Sequence, residues 1–216
     1  MILTTKKRKI RTIAFIEPRN EHLHINNHFE LSRLGSLLLA TIMRDLGYDT
    51  RAYFLTDKEI RARKITADLV CITSIAPTAL TAYDLAIHYQ GIGIPVVMGG
   101  SHVSVLPEEA IQYSNYVIVG EGEKSLPKLV EGIQGLCDLD EIPGLYWKIG
   151  TTITKNIPNT HIECLDDNPV PDWSLMELGK NRKWKRKERR YLRRIQMDED
   201  SYEDNIPWDG WPIFSN

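Results

Sequence analysis

The 216-residue sequence is short of several things, and each shortage removes a class of protein. Its three cysteines, Cys71, Cys137 and Cys164, lie far apart with no metal-type spacing. An odd, scattered set gives no disulfide framework and points to a reducing compartment. No apolar run approaches the roughly 20 residues that a membrane helix needs. The opening "MILTTKKRKIRTIAFIEP" follows its basic residues with only a short apolar stretch, so neither a signal peptide nor a membrane span is expected. Excess charge of one sign is also missing. The formal net charge is −2, which makes no electrostatic case for nucleic acid or a membrane surface. Phosphate-binding signatures are absent too: no G-x-G-x-x-G follows the first apolar run, and no G-x-x-x-x-G-K-[ST] occurs anywhere. The expectation is a soluble cytoplasmic protein that is not a nucleotide-binding one.

What the sequence has is alternation. Short apolar runs read as strands: "TIAFIE", "DTRAYFL", "DLVCITSI", "PVVMGG" and "NYVIVG". Between them lie segments with helical spacing. In "ELSRLGSLLLATIMRDLG" Leu31, Leu34, Leu38, Ile42 and Leu46 recur at three- and four-residue steps, and Gly47 closes the helix. "DKEIRARKIT", "PTALTAYDLAIHYQG", "LPEEAIQYS" and "EKSLPKLVEGIQG" supply the remaining helices. The third strand is apolar almost throughout, as a strand buried on both faces should be.

Five βα units with short connections predict an α/β doubly wound domain, Rossmann-like or flavodoxin-like. Its five-stranded parallel sheet has the order 2-1-3-4-5. This domain is expected over residues 1–142. Residues 143–178 carry "GLYWKIGTTITKN", a small C-terminal β-hairpin, and the proline-rich linker "NPVPDW". Residues 179–216 are expected to be a basic-then-acidic, disordered tail. It holds ten Lys or Arg between Lys180 and Arg194, followed by Asp198, Glu199, Asp200, Glu203 and Asp204.

In such sheets ligands sit beyond the carboxyl ends of the strands. The informative loops are therefore 18–29, 74–77, 99–103 and 120–123. Gly99 and Gly100 end the fourth strand at that edge. Either the turn needs an unusual φ or another body touches the backbone there. "TSIAPT" adds the small hydroxyls of Thr73, Ser74 and Thr78, which can bond a polar ligand without filling space. "GEGE", Gly120 to Glu123, adds two close-approach glycines and two acids. Glu121 and Glu123 could form an acid/base pair, but ligand acceptors or loop caps are the preferred reading.

These residues, in this order, resemble the cobalamin (B12)-binding domain that precedes the catalytic barrel of B12-dependent radical SAM proteins. The resemblance spans roughly residues 11–173 and is most specific in "VVMGGSHVSVLPEEAIQYSNYVIVGEGEKSLPKLVEGI", "IPGLYWK" and "NPVPDW". The family pattern D-x-H-x-x-G, then S-x-L or S-x-T, then G-G, falls on Glu30 to Gly35, on Ser74-Ile75-Ala76, and on Gly99-Gly100. Gly35, Ser74 and the glycine pair match. Glu30 replaces the aspartate, and Ser32 stands where a cobalt-ligating histidine would be.

The resemblance implies that the nucleotide tail of cobalamin is drawn away from cobalt and buried between sheet and helices. The tail would pass Ser74 and lie against Gly99 and Gly100. It marks as cofactor-binding candidates Ser32, Gly35, Thr73, Ser74, Ile75, Pro77, Thr78, Gly99, Gly100, His102, Val103, Gly120, Glu121 and Gly122. A serine is a poor cobalt ligand, so the lower face holds water or nothing unless His22, His24, His28 or His102 supplies a nitrogen. No protein metal site is expected, and a catalytic residue is not identified.

The family's chemistry also requires a C-x₃-C-x₂-C motif for a [4Fe–4S] iron–sulfur cluster that splits S-adenosylmethionine. The three cysteines cannot form it. The expectation is a cofactor-binding part of a methyl-transfer enzyme, truncated, split or frame-altered. S-adenosylmethionine and the cluster would enter only through a separate radical SAM barrel chain. The alternative is a non-catalytic α/β interaction module whose basic tail, with Trp184 and Tyr191 among the cations, binds RNA. The acids after that tail partly cancel its field.

Overall fold

Apolar runs too short for helices, spaced by helical segments, pack most economically as strands of one sheet with helices on both faces. The computed structural model describes residues 8–19, 34–149, 151–157 and 167–178. Ser32, His22, His24, His28 and the charged tail from 179 onward lie outside the described residues, and so does the RNA-binding alternative that rests on that tail. In chain order the elements are β1 (Thr12–Arg19), α1 (Leu34–Asp45), β2 (Asp49–Thr56), α2 (Asp57–Arg63), β3 (Leu69–Thr73), α3 (Ala79–Gly91), β4 (Val96–Gly99), α4 (Ser101–Val105), α5 (Pro107–Ala110), β5 (Tyr116–Ile118), α6 (Ser125–Gln134), β6 (Leu145–Ile149), β7 (Thr152–Lys155) and β8 (Met176–Leu178).

The strands form a single sheet in the order β7-β6-β5-β4-β3-β1-β2-β8. Its centre, β2-β1-β3-β4-β5, is parallel throughout. The expected count of five is corrected to eight. β6 pairs antiparallel to β5 and carries β7 with it, and β8 adds in parallel to the outer edge of β2. The physical reason is edge coverage. A five-stranded sheet would leave the ladders of β2 and β5 open, and residues 143–178 close both of them. β8 is held by contacts its three residues do not advertise. Asp172, just before it, donates its backbone N–H to Thr41 Oγ1 at 2.9 Å and pairs with the Arg44 guanidinium, both on α1.

One helix also differs from expectation. "LPEEAIQYS" is an α-helix only over α5, Pro107–Ala110, and a separate short helix, α4, precedes it and ends at Val105. Proline disfavours the helical region for the residue before it, and Leu106 sits at φ −125°, ψ 55°. Pro18 is tolerated in a central strand because β1 outruns its neighbour there; pairing to β3 ends at Ile16.

Strand residues alternate between two cores. Ile13, Phe15, Cys71, Val97 and Ile118 face α1 and α6, meeting Leu37, Ala40, Leu126 and Leu129. Ala14, Ile16, Val70, Ile72, Val96, Met98 and Val117 face the other way, under α3, with Leu85, Ala86 and Val103. Among the described residues no helix is long and apolar enough to cross a membrane.

Candidate functional site

The carboxyl ends of β3, β4 and β5 meet where register and period place small residues together. Phe15 pairs with Cys71 and Cys71 with Val97, forming one row of side chains toward α1 and α6. One step nearer the carboxyl edge, Thr73 pairs with Gly99. These residues line a cavity of about 60 Å³, bounded also by Leu39 of α1, Ile118, Gly120, Gly122 and Leu126. Its wall is apolar except for Thr73 and the Cys71 thiol, which burial pushes well above the usual thiol range.

The two glycines at the end of β4 have different causes. Gly100 has φ +97°, and a Cβ there would come within 2.7 Å of the Ser74 carbonyl oxygen and 2.9 Å of Thr73 Cγ2. The turn itself demands glycine. Gly99 has no such constraint: a Cβ would meet nothing nearer than the Ile118 carbonyl oxygen at 3.8 Å. By strand parity a side chain at Gly99 would point to the same face as Val97, into the cavity.

Ser74 follows directly. It is fully buried, and its Oγ has no hydrogen-bond partner among the described residues. Its backbone is fixed: the N–H donates to Gly99 O at 3.1 Å, and the carbonyl accepts from His102 N at 3.4 Å. A buried hydroxyl without a partner is uncommon, because such a group loses its water without replacement. Next to it, Ser36 Oγ donates to Thr73 Oγ1 at 3.0 Å and reaches the buried Glu17 carboxylate at 3.4 Å.

The other candidates spread out around this centre. Gly120 has φ +83°, and its N–H donates to Ser104 Oγ at 3.1 Å. Exposed Glu121 is held above the usual carboxylate range, by partial burial first and then by Glu123 beside it. Gly122 lies in the cavity wall. Gly35 is exposed near the start of α1. The Thr78 hydroxyl is occupied by the Ile75 backbone, with 3.3 Å contacts to both its N–H and its carbonyl, and Pro77 is exposed in the same turn. Val103 belongs to the core under α3. His102 also departs from the cavity wall: its Nε2 lies 2.9 Å from Tyr83 Oη, and Tyr83 stacks on Tyr113.

The structure thus gathers Thr73, Gly99, Gly100, Gly120 and Gly122 around one cavity and sets Ser74 next to it. The walls Phe15, Leu39, Cys71, Val97, Ile118 and Leu126, and the Glu17–Ser36 pair, were not among the sequence candidates. Strand parity was the available signal for the strand residues: Phe15, Cys71, Val97 and Ile118 fall on one face of β1, β3, β4 and β5.

The family comparison bears on the same segment. Residues 25–130 match the B12 binding domain. The match runs from before α1 into α6 and takes in the cavity residues from Leu39 to Leu126. An uncharacterized methyltransferase of Pyrococcus horikoshii is 30% identical over 158 residues, covering 68% of this chain and 34% of that protein. The bacteriochlorophyllide d C-8(2)-methyltransferase of Chlorobaculum tepidum is 36% identical over 66 residues, 31% of this chain and 15% of that one. The chain therefore spans about a third or less of these curated relatives. In fold, the chain resembles the radical S-adenosylmethionine methyltransferase TsrM from Kitasatospora setae. That match has TM-score 0.56 at 19% identity, over 70% of this chain and 30% of that one. It also resembles OxsB, a cobalamin-dependent S-adenosylmethionine radical enzyme, with TM-score 0.56 at 17% identity, over 71% and 23% of the two chains.

Proposed function

We propose that this chain holds cobalamin at the carboxyl edge of β3, β4 and β5 and serves a methyl-transfer enzyme of the radical SAM type. The observation that carries the reading is Gly99. The fold itself leaves room for a side chain there, so the missing one is accounted for by a ligand entering the cavity. The Ser74 hydroxyl, which has no partner among the described residues, supports it as a donor or acceptor open to a ligand. The residues present fit the flat, largely apolar base at the end of the tail: Phe15, Val97, Ile118 and Leu126 supply apolar walls, and Thr73 a polar edge.

In this reading the chain binds, orients and shields. The walls exclude water from the nucleotide tail, and Gly99, Gly100, Gly120 and Gly122 let the cofactor approach the backbone closely. Cobalamin, when bound, supplies a cobalt centre able to carry a methyl group. His102 is engaged by Tyr83 through its Nε2, so it would not be the residue that holds cobalt. The cysteine spacing cannot hold a [4Fe–4S] cluster, so the cluster, S-adenosylmethionine and the barrel are assigned to another polypeptide or to further sequence.

The test is direct. Purified protein is mixed with hydroxocobalamin and gel-filtered, and the visible spectrum of the protein peak is recorded. Corrinoid should co-elute with a base-off spectrum. A folded, monodisperse sample that elutes without corrinoid overturns the proposal.

A further inference from the structure

We infer that Leu39 of α1 is the gate of the tail cavity and controls entry of the lower base. This rests on the cobalamin reading and deepens it. The cavity measures about 60 Å³. An engineered protein-core cavity of about 150 Å³ holds benzene. A benzimidazole is larger than benzene, so part of the wall must move before the tail can enter.

The wall shows which part. Phe15, Val97, Ile118 and Leu126 are each at most 5% exposed and are packed on both sides within the core under α1 and α6. Leu39 is the apolar wall side chain that is only partly buried. It reaches from α1 to the β5–α6 loop and lies against Gly122, where a Cβ would come within 3.1 Å of Leu39 Cδ1 and 3.3 Å of Cδ2. Gly122 has no positive φ and so no conformational need for glycine. Its missing side chain is what lets Leu39 seat across the cavity. A half-buried leucine on a helix can change rotamer toward solvent without opening a hole in the core, whereas the other walls cannot. The binding-competent state is the one with Leu39 swung out, and its population scales the apparent affinity.

The experiment uses the full chain and two corrinoids: hydroxocobalamin, which carries the nucleotide tail, and dicyanocobinamide, which lacks it. Association rates and dissociation constants are measured by absorbance for the parent, Leu39→Ala and Leu39→Phe, with folding checked by circular dichroism. Leu39→Ala should speed cobalamin association about tenfold, as expected if the open state is a minor one. It should leave cobinamide unchanged. Leu39→Phe should slow cobalamin selectively. Should Leu39→Ala fail to fold, Leu39→Met with Leu39→Phe carries the same comparison. If the parent binds cobalamin and Leu39 variants change both corrinoids equally, or neither, the gate is overturned while the cobalamin reading stands. If the parent binds neither corrinoid, the cobalamin reading fails and the gate with it.

Discussion

The two faces of the sheet are built from the same strands and the same kinds of residue, yet they end differently at the carboxyl edge. Under α3, Ile16, Ile72, Val96 and Met98 are at most 1% exposed, and the packing continues to the edge, where Tyr83 stacks on Tyr113 with ring centres 4.4 Å apart and bonds His102. Under α1 and α6 the rows begin as tightly, with Phe15 and Val97, and then stop at Thr73 and Gly99 around a cavity. Hydrophobic burial alone would fill both faces, since each buried methylene is worth about 0.8 kcal/mol. A face left short of side chains at one edge, beside a buried hydroxyl with no partner among the described residues, has been shaped by something besides its own stability.

The largest expected effect separates the two adjacent glycines. Gly100 has φ +97° and ψ 175°, a region open essentially to glycine alone. Gly100→Ala should destabilise the free protein by about 3 kcal/mol, from backbone strain and the clash with Ser74, read by urea unfolding. Gly99→Val should change stability by no more than about 1 kcal/mol, because it fills apolar space, yet should weaken cobalamin binding at least about tenfold. If Gly99→Val binds cobalamin like the parent, the open face is a packing defect and the contrast between the faces loses its functional meaning.

A smaller change should move stability and binding in opposite directions. Ser74→Ala removes a hydroxyl that is buried with no partner among the described residues. A buried unsatisfied polar group costs about 1–3 kcal/mol, so the free protein should gain about 1 kcal/mol. Cobalamin affinity should fall by about 1 kcal/mol if the tail bonds that hydroxyl. Denaturation and spectroscopic titration of one preparation read both. Gains in both would place Ser74 outside the ligand's reach.

Much of this was legible from residue order alone. The parallel centre followed from five apolar runs separated by helical spacing. Gly99-Gly100 and Ser74 were visible because they fall at or just beyond the carboxyl ends of two strands, where parallel sheets bind ligands. The rest was hidden for identifiable reasons. β8 depends on Asp172 reaching Thr41 and Arg44 on α1, a contact across more than half the chain that no local pattern encodes. Phe15, Cys71 and Val97 look like ordinary core residues until register places them in one row. His102 and Val103 were grouped with the glycines by sequence proximity, but the start of α4 turns them toward α3.

The smallest expected effect tests whether the two faces are independent. Tyr83 is buried, its phenol pushed up by that burial and by Glu109 beside it, and its hydroxyl ties α3 to His102 on α4. α4 starts directly after Gly100. Tyr83→Phe keeps the stack on Tyr113 and deletes the hydroxyl's bonds to His102 and Glu109, so it should cost about 1 kcal/mol of stability. His102 is only partly buried, so water can replace the lost partner and limit the loss. Cobalamin binding should not change, because the cavity wall contains neither residue. Weaker cobalamin binding in a variant of near-parent stability would show that the packed face sets the position of the Gly99-Gly100 turn. The two faces would then act as one site, with the Tyr83–His102 pair as its positioning element.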